Sequence, residues 1–233
     1  MKIALLGYGK MGKTIEKIAL DRNHTIVAKV DSKTTSYDIS EADVAIDFSI
    51  PSTAVENISN CLNAGVPVVS GTTGWLDQYD DMVALCNEKN GGFIYASNFS
   101  LGVNLFFELN KKLAQMMNPL DAYDIAMEEI HHTQKLDAPS GTAITLAEGI
   151  IEHTDKNKWA LDTKDSDTTV PIVAKRIENV PGTHSITYSS EVDSIEIKHT
   201  AHNRHGFALG AVVAAEWLHG KNGIFSMKDV LGL

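Results

Sequence analysis

The chain opens on Lys2-Ile3-Ala4-Leu5-Leu6-Gly7-Tyr8-Gly9-Lys10-Met11-Gly12, and this stretch decides the fold. Its apolar run reads as a short strand, Lys2–Leu6. Three glycines follow in the spacing G-x-G-x-x-G and open an amphipathic helix over about Met11–Asp21. A second strand, Thr25–Val30, ends at Asp31, 19 positions after Gly12. That context gives each residue a physical task. Gly7 makes the tight turn, and Gly9 lets the backbone approach a pyrophosphate seated on the helix N-terminus with Lys10, Met11 and Gly12. Asp31 accepts hydrogen bonds from the adenine ribose hydroxyls. The bland alternative, a glycine-rich turn without a ligand, leaves the flanking strand, helix and acid unexplained.

Alternation of short apolar runs with amphipathic segments continues for a hundred residues. Val44–Phe48, Val66–Ser70 and Phe93–Ala96 read as strands, and Thr53–Asn63 and Leu76–Lys89 as helices. Runs rich in Ile, Val and Ala suit strands covered on both faces, so the class is α/β, a Rossmann-type doubly wound parallel sheet. Ligands of such sheets gather at the carboxyl ends of the strands. Gly71-Thr72-Thr73-Gly74 follows the fourth strand and Ala96-Ser97-Asn98-Phe99 the fifth. Gly71, Thr72, Thr73, Ala96, Ser97, Asn98 and Phe99 are therefore candidates for contact with the nicotinamide half. The carboxylate of Asp31 favours the free 2′-hydroxyl of NADH, while Lys33 offsets its repulsion of a 2′-phosphate, so NADH, NADPH or both are expected.

Near Ser100 the pattern changes. Leu101–Met117 reads as a long amphipathic helix with Leu101, Leu105, Phe106, Leu109, Leu113 and Met116 on or near one face. Tyr123–Ile130 reads as a strand, Ser140–Glu152 as a helix, and 154–170 as a polar surface excursion. Ile172–Ile177, Ser185–Ser190 and Ser194–His199 read as strands, the last two as a hairpin. This section is α+β in character. Phe207–Leu218, with Gly210, Ala211, Ala214 and Ala215, is a small-residue helix suited to close packing on a sheet. The expected division is 1–102 with 207–233 for the dinucleotide, and 103–206 for the substrate.

Chemistry concentrates in Glu129-Ile130-His131-His132-Thr133-Gln134-Lys135-Leu136-Asp137-Ala138-Pro139-Ser140-Gly141-Thr142-Ala143. On an extended strand His131 and His132 point to opposite faces, so they do different jobs. Lys135 follows in a loop that can fold back. Pro139 suits a break, Ser140 an N-cap, and the amides of Gly141 and Thr142 are first-turn donors for a carboxylate. Protonatable groups beside a helix-start anion site describe a proton donor next to a bound anion. A metal site is the competing reading. No third ligand stands at a recognised spacing, Glu129 being the one conceivable, so no metal is expected.

Bulk properties narrow the partners. Lys and Arg number 20 against 30 Asp and Glu, a formal charge of −10. Such acidity disfavours nucleic acid and anionic membranes as partners, so an anion has to be held locally. Cys61 and Cys86 cannot make a disulfide framework and suit a reducing compartment. No apolar run approaches the roughly 20 residues of a membrane span. The opening apolar run is too short for a signal peptide, so a cytoplasmic protein is expected.

The motifs GYGKMG at 7–12, DFS at 47–49, GTTG at 71–74, NFSLGVN at 98–104 and EIHHTQKLDAPSGTA at 129–143, with the closing FALGAVVAAEWL and SMKDVLGL, resemble the 4-hydroxy-tetrahydrodipicolinate (dihydrodipicolinate) reductase family nearly end to end. The resemblance implies NAD(P)H-dependent reduction of a cyclic dicarboxylate on the diaminopimelate route to lysine, by a homotetramer built through the second domain's sheet. It implies His131 as acid/base with Lys135 as proton donor or substrate ligand. His132, Lys135, Ser140, Gly141 and Thr142 then hold substrate. Thr133 and Gln134 stand where many members carry arginine and histidine, and Ser32 where many carry arginine. Two rival readings are another two-domain NAD(P)-dependent dehydrogenase and a nucleotide-sensing protein without turnover. A semialdehyde dehydrogenase needs a catalytic cysteine, and neither Cys61 nor Cys86 has such a setting.

Overall fold

The computed structural model describes residues 1–34, 36–203 and 205–233. The chain forms two compact units, one of residues 1–101 with 205–233 and one of residues 102–204. In chain order the first unit begins with β1 (Lys2–Leu6), α1 (Lys10–Asp21), β2 (Thr25–Val30), β3 (Val44–Asp47), α2 (Pro51–Asn63), β4 (Val68–Ser70), a 3₁₀ turn (Leu76–Gln78), α3 (Tyr79–Glu88) and β5 (Gly92–Tyr95). The second unit holds α4 (Leu101–Met117), β6 (Asp124–His131), α5 (Gly141–Ile151), β7 (Lys158–Leu161), β8 (Thr169–Arg176), β9 (Gly182–Ser189) and β10 (Ser194–Ala201). The chain then returns to the first with α6 (His205–Leu218), β11 (Gly223–Phe225) and α7 (Met227–Leu231).

The first sheet has the order β11-β5-β4-β3-β1-β2, with every pairing parallel. Strand alternation divides its apolar residues between two cores. Ile3, Leu5, Ile46, Val69 and Ile94 pack with α1 and α6, while Ala4, Leu6, Ala45, Val68 and Phe93 pack with α2 and α3. The sheet is thus covered on both faces, as the run of Ile, Val and Ala required. The chain passes from β1 to β2 on one side and then crosses to β3 on the other side of β1, which puts the switch point at the carboxyl end of β1. Gly7 stands there with φ +93°, and a Cβ on it would lie 2.1 Å from the Phe48 carbonyl oxygen.

The small residues of α6 have a visible purpose. A Cβ on Gly210 would come within 1.7 Å of the Phe99 carbonyl oxygen, so the helix lies directly against the turn that follows β5. Gly210→Ala forces that backbone apart. The expected loss is at least the upper part of the roughly 1–3 kcal/mol that core overpacking costs, read as a fall in the urea midpoint.

The second sheet is mixed, with the order β10-β9-β6-β8-β7. β6, β8 and β7 run parallel, while β9 is antiparallel to β6 and forms the expected hairpin with β10. Helices α4 and α5 cover one face through Phe106, Ala114, Leu146 and Ile150 against Ile125, Met127, Ile172 and Ile186.

Three expectations need correction. Helix α4 buries Val103, Phe106, Asn110, Ala114 and Met117, leaving Leu105, Leu109 and Met116 exposed. The helix has two apolar stripes, and the buried one lets α5 approach closely: Asn110 Nδ2 donates to the Leu146 carbonyl at 2.9 Å. Residues 154–170 are not only a surface excursion, because Lys158–Leu161 forms the edge strand β7, whose charge suits an unpaired edge. The short β11 and α7 carry too little periodicity to be read and were not expected.

Candidate active site

In the first unit, Gly9 caps α1 without a side-chain bond to the first-turn amides, and a Cβ there would meet nothing within 4 Å. A bare helix start with open space above it is what a pyrophosphate needs. Gly9 and Lys10 are exposed, Met11 is half-buried, and Gly12 is buried in the first turn of α1. Asp31 is exposed at the end of β2, with Oδ1 accepting from the Lys33 amide at 2.9 Å and the Thr34 hydroxyl at 3.1 Å. These bonds, the Lys33 amide first, hold its carboxyl below the usual range.

The turns after β4 and β5 are braced from beneath. Asp47 is fully buried and accepts from Asn57, Ser70 and Thr72 at 3.0, 2.9 and 2.8 Å. The Thr72 hydroxyl also accepts from the Ser49 amide at 2.8 Å, and its carbonyl accepts from the Trp75 indole at 2.6 Å. The Thr72 amide has no hydrogen-bond partner among the described residues, while Thr73 beside it is exposed and Gly71 half-buried. Phe99 is buried against Phe48, with ring centroids 5.7 Å apart, so its side chain serves the core. Ala96 and Asn98 are half-buried and Ser97 exposed; Asn98 Oδ1 accepts from the Ser100 amide at 2.9 Å. The residues of this unit fit a dinucleotide.

In the second unit, strand register assembles the reactive groups. Glu129 and His131, two apart on β6, share the face that α4 and α5 cover. His131 pairs with Arg176 of β8, and Glu129 with His184 of β9. Glu129 is fully buried and is the hub. Its Oε1 accepts from Arg176 Nη2 at 3.1 Å and its Oε2 from the Ser140 amide at 3.0 Å. The same Oε2 lies 3.5 Å from His131 Nδ1 and 3.7 Å from His184 Nε2. The two imidazoles meet edge to face, centroids 5.0 Å apart.

His131 ends β6 and is 8% exposed; His132 lies just beyond the strand and is half-buried, so the two do occupy different settings. The loop turns back as expected, with the Lys135 amide donating to the His132 carbonyl at 3.1 Å. Ser140 is the N-cap of α5, its Oγ accepting from the Ala143 amide at 3.2 Å and lying 3.2 Å from His184 Nε2. With its amide on Glu129, Ser140 builds the site more than it offers groups to a ligand. The Gly141 and Thr142 amides have no hydrogen-bond partner among the described residues, and a Cβ on Gly141 would meet open space. Lys135 Nζ sits 2.8 Å from both carboxylate oxygens of Asp137.

Arg176 and His184 carry no local sequence signal, and only strand register brings them to Glu129. Glu129, His131 and His184 are the one group among the described residues whose donor atoms, within 4.8 Å of one another, could hold a metal ion. Arg176 already gives Glu129 a cationic partner, so the cluster is balanced in charge by the chain itself. A cavity of about 420 Å³ between the end of α4 and the start of β6 contains none of these residues.

Burial acts oppositely on the two charge types. It is the largest influence on His131 and, with His184 nearby, drives the imidazole from 6.5 down to about 4, against the pull of Glu129. Burial alone would raise the Glu129 carboxyl; hydrogen bonds from His184 and Ser140 and the proximity of His131 outweigh it and hold the group at about 2. The unfolded chain binds protons that both groups refuse in the fold, so both contributions run in one direction. Stability falls as pH drops, from about 6.5 towards 4 through His131 and from about 4.5 towards 2 through Glu129. Melting midpoints at pH 7, 5.5 and 4 are expected to decline in that order, and His131→Gln is expected to flatten the upper part of the decline.

Residues 1–99 match the family description "Dihydrodipicolinate reductase, N-terminus", and residues 102–231 match "Dihydrodipicolinate reductase, C-terminus". The chain belongs to the dihydrodipicolinate reductase family. It is 61% identical over 234 residues to a 4-hydroxy-tetrahydrodipicolinate reductase of Christiangramia forsetii, covering 99% of this chain and 98% of that one. A reductase of the same name from Neisseria gonorrhoeae is 34% identical over 229 residues, covering 94% and 84%. Among solved structures, a dipicolinate-bound dihydrodipicolinate reductase from Paenisporosarcina sp. TG-14 superposes with a TM-score of 0.77 at 25% identity, covering 97% of each chain. A probable dehydrogenase from Thermotoga maritima, at 11% identity and a TM-score of 0.60, shares the fold. The chain is an oxidoreductase that uses NADH or NADPH. The rival readings, a different two-domain dehydrogenase and a sensor without turnover, give way to family membership.

Proposed function

We propose that the chain reduces 4-hydroxy-tetrahydrodipicolinate to tetrahydrodipicolinate in the diaminopimelate route to lysine, with the first unit holding NADH or NADPH and the second the dicarboxylate. The carrying observation is the grouping of His131, Lys135 and the bare N-terminus of α5 in one unit. When bound, the nicotinamide supplies hydride to the substrate ring. The chain's own residues do the rest. The Gly141 and Thr142 amides and the α5 dipole hold one carboxylate, and Lys135 and His132 hold the other. The 4-hydroxyl departs as water before or with the arrival of hydride, and His131, whose Nδ1 lies 3.5 Å from Glu129, provides the proton that balances the arriving electron pair. Fixing the ring this way removes much of the entropic part of the barrier.

The first unit's residues divide in the same way. The α1 N-terminus receives the pyrophosphate, Asp31 the adenine ribose, and the turns 71–73 and 96–99 the nicotinamide half. The protein is read as a cytoplasmic homotetramer. Buried Cys61 and Cys86 suit a reducing compartment. Within the second unit, no helix among the described residues covers the sheet face that carries Ala126, Ile130 and Val173, a surface suited to self-association. The test is competition. Pyridine-2,6-dicarboxylate, a flat analogue of the product ring, is expected to compete with substrate and to lose affinity in Lys135→Ala. Inhibition that is not competitive with substrate sinks this placement of the dicarboxylate.

A further inference from the structure

We propose that Asp137 is an affinity-setting latch: its carboxylate occupies the Lys135 ammonium in place of a substrate carboxylate, and the dicarboxylate has to displace it on binding. This rests on the reading above that Lys135 takes a substrate carboxylate. Lys135 Nζ donates to Oδ1 and Oδ2 of Asp137, both at 2.8 Å, which is how it would meet a ligand carboxylate. The intervening Leu136 is 97% exposed, so packing of that side chain does not set the pair.

Arg176 sets the backbone instead. Its Nε donates to the Lys135 carbonyl at 3.3 Å and its Nη2 to the Asp137 carbonyl at 2.6 Å, while Nη2 also rests on buried Glu129. Both residues of the pair are thus tied to the site at the main chain, and the Asp137 side chain, 61% exposed, has room to swing away. The Lys135 side chain is 21% exposed and remains in the site. The hydrogen bond from Lys135 holds the Asp137 carboxyl below its usual range, so the latch is charged at neutral pH. An incoming carboxylate carries the same charge and the same pair of oxygens, so the two compete for one ammonium. The latch satisfies Lys135 when substrate is absent, and it lowers affinity for every ligand that needs Lys135.

The test is titration calorimetry of pyridine-2,6-dicarboxylate into the intact chain as wild type, Asp137→Asn, Lys135→Ala and the double variant. Asp137→Asn is expected to bind about two- to fivefold tighter, the range that an exposed ion pair is worth. The double variant is expected to bind no tighter than Lys135→Ala, because the gain acts through Lys135. Unchanged or weaker binding in Asp137→Asn, with Lys135→Ala still impaired, overturns the latch and leaves the role of Lys135 standing. A gain that persists in the Lys135→Ala background also overturns it. If Lys135→Ala binds like wild type, the reading of Lys135 itself has failed, and the latch with it.

Discussion

His131→Gln lowers kcat by about 10²–10⁴-fold, the usual worth of a positioned general acid, while KM stays close to wild type. Glutamine keeps a polar group of similar reach at the end of β6 but cannot give up a proton. The size of the effect follows from how the imidazole is held. It is 8% exposed, its Nδ1 faces Glu129 Oε2 at 3.5 Å, and its ring meets His184 edge to face. In the free protein burial keeps it neutral until about pH 4. Two substrate carboxylates bring negative charge beside it and raise its proton affinity when a proton is needed. Binding of pyridine-2,6-dicarboxylate is therefore expected to take up a proton, visible as a buffer-dependent heat. Equal losses in kcat and kcat/KM, with KM unmoved, mark an interaction made only in the transition state. A rise in KM with kcat intact would assign His131 to binding.

Arg176→Met is expected to destabilise the chain by about 3–5 kcal/mol, the cost of removing one partner of a buried ion pair. Glu129 is fully buried and has in Arg176 a guanidinium at 3.1 Å. Methionine fills the volume but leaves the buried carboxylate without its cationic partner, beside His131, whose charging burial resists. For a chain of this length the loss corresponds to a fall of roughly 6–20 °C in the apparent melting midpoint. The reaction loop suffers as well, because Arg176 also holds the Lys135 and Asp137 carbonyls. Neutralising both partners tests the cause. Arg176→Met with Glu129→Gln is expected to recover most of the stability and little of the activity, since the loop carbonyls stay unclamped. A single variant that melts like wild type would remove Arg176 from its place at the centre of the cluster.

How much of this was legible in sequence depends on how local each determinant is. Gly7, Gly9 and Gly12 answer to backbone requirements within one turn, so their spacing beside a strand and before Asp31 was enough. Strands β1 to β5 of the first sheet were legible because burial on both faces leaves few polar residues in them; the three-residue β11 was not. Ser140 was legible as a cap because its side chain acts three residues away. The buried face of α4 was not, since Leu105 and Leu109 compete with Phe106 on hydrophobicity and the choice is made by contact with α5 near Leu146. Arg176 and His184 reach Glu129 only through the pairing of β8 and β9 with β6. Nothing near either residue in the chain announces that pairing. The same holds for β7, a four-residue edge strand whose identity depends on a partner eleven residues on.

Every residue role above depends on the chain reducing its substrate with NADH or NADPH while His131 supplies the proton. Oxidation of NADH and NADPH on adding the freshly formed condensation product of aspartate semialdehyde and pyruvate measures it most directly. The account predicts cofactor oxidation equal in amount to the condensation product added, none when that product is omitted, and near-complete loss in His131→Gln. Saturable binding of NADH or NADPH with no oxidation in the presence of that substrate would contradict it.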